Sequence, residues 1–173
     1  MDLKSKFRHV LNFPEEGIDF IDITTVLGDK EAFKQAMDML IEAAKEFDFD
    51  VVVAPESRGF ILGTPIAYAL GASFVPIRKA GKLPYDTIKY DYALEYGTNT
   101  LEIHSDAIKK GQKVLVVDDL LATGGTTLAN IKLVEKLGGE VAGILYMIEL
   151  NYLNGRDKLI EENYEVRSMV NFD

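Results

Sequence analysis

The sequence predicts an α/β fold: a central parallel sheet flanked by helices. Two observations carry that reading. Short, continuous apolar runs alternate with helical stretches through most of the chain, in the order strand, helix, strand, helix, strand, which suits parallel strands joined by right-handed crossovers. One of those runs also ends in a glycine-containing turn that opens a helix. At 173 residues, without repeats or a polar linker, the chain reads as one domain over 1–173 with a sizeable core.

The elements follow in order. Residues 12–28 form an irregular front piece. From Glu31 to Phe47, the apolar positions Phe33, Ala36, Met37, Leu40, Ile41 and Ala44 repeat at helical spacing, with acids and lysines opposite. Val51 to Pro55 is a β-branched run, as expected of a strand covered on both faces. Gly59 to Ile77 holds 19 residues without a charge, nearly a membrane span in length. Its glycines and prolines divide it instead into a helix over Phe60–Leu70, a stop at Gly71 and a strand over Ser73–Ile77. No membrane partner is expected.

Residues 80–99 make a tyrosine-rich insertion, and alternation of Tyr90, Tyr92 and Leu94 suggests a hairpin arm. Lys113 to Asp118 is a further buried strand, followed by a helix through Leu137 that Gly138 and Gly139 terminate. Val141 to Ile148 is one more apolar strand. In open α/β sheets ligands sit beyond the carboxyl ends of strands, so front piece and insertion can cover one site.

Composition narrows the chemistry. The chain has 19 basic and 28 acidic side chains, a net charge of −9, which argues against a nucleic-acid surface. The absence of cysteine excludes a disulfide scaffold, a thiol nucleophile and a thiolate zinc site. The first residues lead into no apolar segment, so a cytoplasmic protein is expected. His9 and His104 have no metal-ligand spacing and read as ordinary surface or satisfied histidines.

The sharpest signal is Val116-Val117-Asp118-Asp119-Leu120-Leu121-Ala122-Thr123-Gly124-Gly125-Thr126-Thr127. A strand ends in two carboxylates, a turn of small and hydroxylated residues follows, and a helix begins. Backbone amides and a positive helix end then converge on one point, a cradle for a phosphate dianion. The spacing is neither that of a triphosphate-binding loop nor the dinucleotide fingerprint. Two carboxylates beside a phosphate suit vicinal sugar hydroxyls, so the whole string describes a site for a ribose 5-phosphate. The plainer alternative is a capped helix after a strand with surface acids.

These residues resemble the type I phosphoribosyltransferases, whose motif is this acid pair, loop and helix. Further segments resemble the branch of that family acting on adenine: Phe13-Pro14-x-x-Gly17, Asp22-Ile23-Thr24, Glu56-Ser57-Arg58-Gly59-Phe60, Ile77-Arg78-Lys79-x-Gly81-Lys82-Leu83-Pro84 and Leu94-Glu95-Tyr96-Gly97. Leu101-Glu102-Ile103, Glu149-Leu150 and Gly155-Arg156-x-Lys158-Leu159 agree as well. The resemblance implies phosphoribosyl transfer from phosphoribosyl pyrophosphate to adenine, a small N-terminal hood over about 1–28, a flexible arm or lid over about 80–99, magnesium as cofactor and a homodimer. Another purine such as xanthine, or a non-catalytic sensor of the donor, are the alternatives.

Residue by residue, the resemblance assigns ribose and 5-phosphate to Asp118, Asp119, Ala122, Thr123, Gly124, Gly125 and Thr126. Arg58, Lys79 and Lys82 would hold pyrophosphate, with a non-proline cis peptide among those loops. Glu95 would act on the base as proton acceptor. Asp19 and Ile21 would read adenine through backbone groups, with Phe20 and Leu120 sandwiching the ring. Position 21 usually carries a basic residue in the family and position 19 an apolar one, which backbone recognition tolerates. No protein side chain is expected to ligate magnesium directly; Asp118 and Asp119 would steady it through water.

Overall fold

The computed structural model describes residues 2–93 and 97–173. Seven strands form the main sheet in the order β5-β6-β4-β3-β7-β8-β9. Its parallel centre comprises β3 (Val51–Pro55), β4 (Ser73–Lys79), β7 (Lys113–Leu121), β8 (Glu140–Leu150) and β9 (Val166–Phe172). The hairpin β5 (Thr87–Ala93) and β6 (Thr98–His104) adds two antiparallel strands beside β4.

Alternation along the central strands explains their continuous apolar runs. Val52, Leu115, Val117, Leu145 and Met147 face one side, where helices α2 (Lys30–Ala44) and α3 (Arg58–Leu70) pack. Val51, Val53, Val114, Val116, Ile144 and Tyr146 face the other, beneath α4 (Gly125–Lys136). With helices over both faces, neither set of side chains can be polar. The α2 stripe buries Ala36, Met37, Leu40 and Ala44, and Asp29 caps the helix by accepting from the amides of Glu31 and Ala32. Gly71 ends α3 in the left-handed conformation, φ 70°, as its position after an apolar helix implies.

The front piece is more regular than its sequence suggests. β1 (Arg8–Leu11) pairs with β2 (Asp19–Asp22) in an antiparallel ribbon, and a short helix α1 (Thr24–Leu27) follows. The helix expected over Glu31–Phe47 instead ends at Ala44, and Phe47 turns back onto Gly143 in β8. Beyond β8, helix α5 (Gly155–Glu161) and β9 complete the sheet. Among the described residues no helix is long and apolar enough to cross a membrane.

Strand order places the site. The chain runs from β3 to β4 on one side, then returns through β7 on the other. That reversal opens a crevice at the carboxyl ends of β3, β4 and β7.

Candidate active site

A cavity of about 460 Å³ occupies that crevice. Three chain segments line it: the β3–α3 turn, Lys79 at the end of β4, and an unbroken run from Asp118 to Thr127. Tyr92 of β5 and Leu101 of β6 contribute from the arm.

The run from Asp118 to Thr127 passes from strand through a tight turn into a helix, as its sequence implies. α4 begins at Gly125, and Gly124 precedes it with φ 83°, a backbone conformation that glycine adopts freely. No described side chain caps this helix, so its first amides stay available to an anion. Behind the loop, Thr127 and Tyr146 share a buried hydrogen bond. Burial pushes the Tyr146 phenol far up, keeping it protonated.

The two acids stand at the mouth of this loop. The Asp119 amide donates to Asp118 Oδ1 at 2.8 Å. Burial first, and then the charge of Asp119, push the Asp118 carboxyl well above the usual carboxylate range. Such a carboxyl pair offers acceptors to ligand hydroxyls or to a hydrated cation. Arg58 Nε donates to Asp119 Oδ2 at 2.5 Å.

In the β3–α3 turn, the peptide between Glu56 and Ser57 is cis, the non-proline cis bond the resemblance implied. Glu56 Oε1 accepts from the Lys79 amide at 2.8 Å and from Arg78 Nε at 3.2 Å. Burial works to raise the Glu56 carboxyl, but those donors and the Arg78 charge outweigh it and hold it low. Glu56 thereby ties β3 to β4 where Lys79 enters the cavity. Arg78 is the cation spent on this tie.

Lys82 is not part of the cavity lining. Its amide and that of Leu83 donate to Glu102 Oε1, at 3.1 and 3.0 Å. This buried carboxylate, 1% exposed, pins the turn after β4 to β6. Sequence order alone places Lys82 beside Lys79; the anchoring of its backbone separates them.

The front ribbon meets the site at Arg58. The Arg58 guanidinium lies over the Phe20 ring, 5.8 Å from its centroid. Leu120 lines the cavity. Asp19, Phe20 and Ile21 do not: Asp19 Oδ2 is 2.7 Å from His9 Nδ1, Phe20 reaches the site only by way of Arg58, and the Ile21 side chain is in the apolar core. An isoleucine at position 21 thus satisfies packing and leaves any reading of a ligand there to the backbone. Glu95 lies outside the described residues.

Tyr92, which the sequence places in the arm without a role in the site, lines the cavity. Its hydroxyl is 3.3 Å from Thr126 Oγ1, so the arm touches the phosphate loop of its own chain. The alternation of Tyr90 and Tyr92 placed both on one face of a strand, but not which element that face meets.

The wider comparisons agree with this geometry. Residues 24–171 match the model of the phosphoribosyl transferase domain. An adenine phosphoribosyltransferase of Caldicellulosiruptor saccharolyticus is 65% identical over 173 residues, covering 100% of this chain and 98% of that protein. The crystal structure of adenine phosphoribosyltransferase from Thermoanaerobacter pseudethanolicus superposes with a TM-score of 0.95 at 51% identity, over 99% of this chain and 98% of that one. The Saccharomyces cerevisiae enzyme, solved with an imino-altritol bisphosphate and adenine, gives a TM-score of 0.88 at 41% identity, over 96% of each chain. With its phosphate loop, acid pair and cis-peptide turn around one crevice, the chain belongs to the phosphoribosyltransferase family, in the adenine phosphoribosyltransferase branch.

Proposed function

We propose that this chain transfers the 5-phosphoribosyl group from phosphoribosyl pyrophosphate to adenine, giving AMP and pyrophosphate. The observation that carries this reading is one cavity lined both by the loop and acid pair of residues 118–127 and by Arg58 and Lys79. A donor with a 5-phosphate at one end and a pyrophosphate at the other spans that distribution.

The division of labour follows from charge. The loop from Ala122 to Thr126 takes the 5-phosphate on its backbone amides and hydroxyls. Asp118 and Asp119 accept from the ribose hydroxyls. Arg58 and Lys79 take the pyrophosphate, where negative charge grows as the bond to the anomeric carbon breaks. The adenine ring nitrogen forms the new bond to that carbon, and its proton passes to Glu95. Phe20 and Leu120 flank the base, with Asp19 and Ile21 offering backbone groups. Lys82, off the lining, serves pyrophosphate only if the turn after β4 moves.

The donor set suits magnesium. No cluster of three or more histidine, cysteine, aspartate or glutamate ligands exists among the described residues, and two carboxylates beside a phosphate site fit a cation that keeps waters and takes phosphate oxygens. When bound, magnesium neutralises charge on the pyrophosphate leaving group. Asp118 and Asp119 are placed to orient its waters. A chain without cysteine also suits the reducing cytoplasm.

A purine panel tests the reaction. With the donor and magnesium, adenine is expected to yield AMP, with hypoxanthine, guanine and xanthine far slower. No AMP from adenine, or faster turnover of xanthine, overturns the assignment. Donor binding without turnover of any purine would indicate a sensor.

The homodimer reading rests on α3. Its stretch from Gly59 to Leu70 carries no charge, yet exposes Ile61 at 41% and Tyr68 at 90%. An exposed apolar face of this kind suits a two-fold interface. Sedimentation is expected to show a dimer, and Tyr68→Glu a monomer at the same concentration. A monomeric parent protein, or an undisturbed dimer in the variant, would contradict it.

A further inference from the structure

We propose that Gly155 is a positioning residue for the phosphate loop, held against the loop's back by the Arg156–Glu149 ion pair. The inference rests on the reading of that loop as the seat of the donor's 5-phosphate.

Gly155 opens α5, a helix of seven residues. A Cβ placed on it would stand 2.2 Å from the Ala122 carbonyl oxygen and 3.0 Å from Leu121 Cδ1. The first is far closer than a side-chain carbon tolerates, and the second is tight. The contact is reciprocal, because a Cβ on Gly124 would lie 3.1 Å from the Gly155 carbonyl oxygen. Two glycines therefore let two backbones touch, one of them the phosphate loop.

What fixes Gly155 there is the next residue. Arg156 Nε donates to both Glu149 oxygens, at 2.8 and 3.1 Å. Its Nη1 donates to the Val166 carbonyl at 2.9 Å, and its Nη2 to Ser168 Oγ at 2.9 Å and to Glu149. Ser168 Oγ also donates to Glu149 Oε2 at 2.6 Å. Glu149 is 4% exposed and pairs in register with Leu121, the residue before Ala122. One guanidinium thus joins α5 to β8 and β9, directly behind the loop. A planar fork with this many acceptors is geometrically restrictive in a way a lysine is not.

The link to ligand is the peptide plane. The Ala122 carbonyl and the Thr123 amide belong to one rigid unit. A side chain at position 155 that displaces the carbonyl must displace the amide, and that amide is among the loop's phosphate donors. The pyrophosphate wall, built by Glu56, Arg58 and Lys79, makes no use of α5.

The test separates the two walls. For the full-length protein and Gly155→Ala, affinities are measured for ribose 5-phosphate, AMP and magnesium pyrophosphate, alongside donor KM, kcat and a thermal melt. Ribose 5-phosphate and AMP binding are expected to weaken on the order of tenfold to a hundredfold, as for a roughly 1 Å misplacement. Pyrophosphate binding is expected to stay within about twofold, and KM to change more than kcat. Should Gly155→Ala fail to fold, Glu149→Gln supplies the same comparison, with a smaller loss confined to the phosphate ligands. Equal losses for AMP and pyrophosphate, or unchanged AMP affinity in a folded variant, overturn the proposal. If the parent protein binds neither ribose 5-phosphate nor AMP, the loop assignment fails and the proposal falls with it.

Discussion

Replacing Glu95 by Gln is expected to lower kcat by roughly a hundredfold to ten-thousandfold, the usual worth of a positioned general base, while donor affinity changes little. Adenine must lose a ring proton as its nitrogen bonds to the anomeric carbon. A carboxylate accepts that proton; an amide of the same shape does not. The substitution keeps size and polarity, so a loss confined to turnover isolates the proton. Single-turnover kinetics with saturating donor would measure it. An unchanged rate would remove Glu95 from the chemistry, and a large loss of donor binding would make it a binding residue instead.

Arg58→Ala is expected to have the second largest effect, lowering kcat/KM for the donor by about a hundredfold or more, as when one partner of a hydrogen-bonded charge pair is truncated. Two consequences add. The pyrophosphate wall loses the cation that its turn presents to the cavity. Asp119, 5% exposed, loses the donor at 2.5 Å that balances it, and is left facing Asp118. Arg58→Lys is expected to recover part of the loss, because it restores charge without the planar fork. Steady-state kinetics at varied donor concentration checks both. Equal activity of Arg58→Ala and the parent protein would take Arg58 out of the pyrophosphate site.

Arg58 also shows how the walls communicate. It bonds to Asp119 of the ribose clamp while stacking over Phe20, the residue assigned to the base. A pyrophosphate that drew the guanidinium toward itself would loosen both contacts together.

Much of this architecture was legible because its causes are local. Val51–Pro55 and Val114–Val117 are apolar without a break, since helices cover both faces of their strands. Gly71 terminates a helix, and the string from Asp118 to Thr127 encodes its own turn. What stayed hidden depends on distant partners. α5 is a seven-residue helix, too short to stand on propensity, and exists because Arg156 is bonded to β8 and β9. β9 buries only Val166, Val170 and Phe172 on a sheet edge, a weak pattern. The front ribbon pairs two strands of only four residues across an irregular loop, too short for a clear alternation.

The candidate site divides in the same way. The phosphate loop and acid pair are contiguous, so sequence alone assembles them. The pyrophosphate wall is not: Lys79 enters the cavity while Lys82 does not, because Glu102 anchors the intervening turn. No spacing rule anticipates a carboxylate twenty residues away in sequence. Tyr92 likewise reaches Thr126 only because the arm folds back across α4.

On the proposed reading one crevice takes both ends of the donor, the 5-phosphate on the loop before α4 and the pyrophosphate beside Arg58 and Lys79. A crystal structure of the protein with AMP and magnesium pyrophosphate is the decisive experiment. The AMP phosphate is expected on the amides of residues 123–126, its ribose hydroxyls on Asp118 and Asp119, and pyrophosphate beside Arg58 and Lys79. A nucleotide phosphate bound at the Arg58 wall, or outside the crevice altogether, would contradict it.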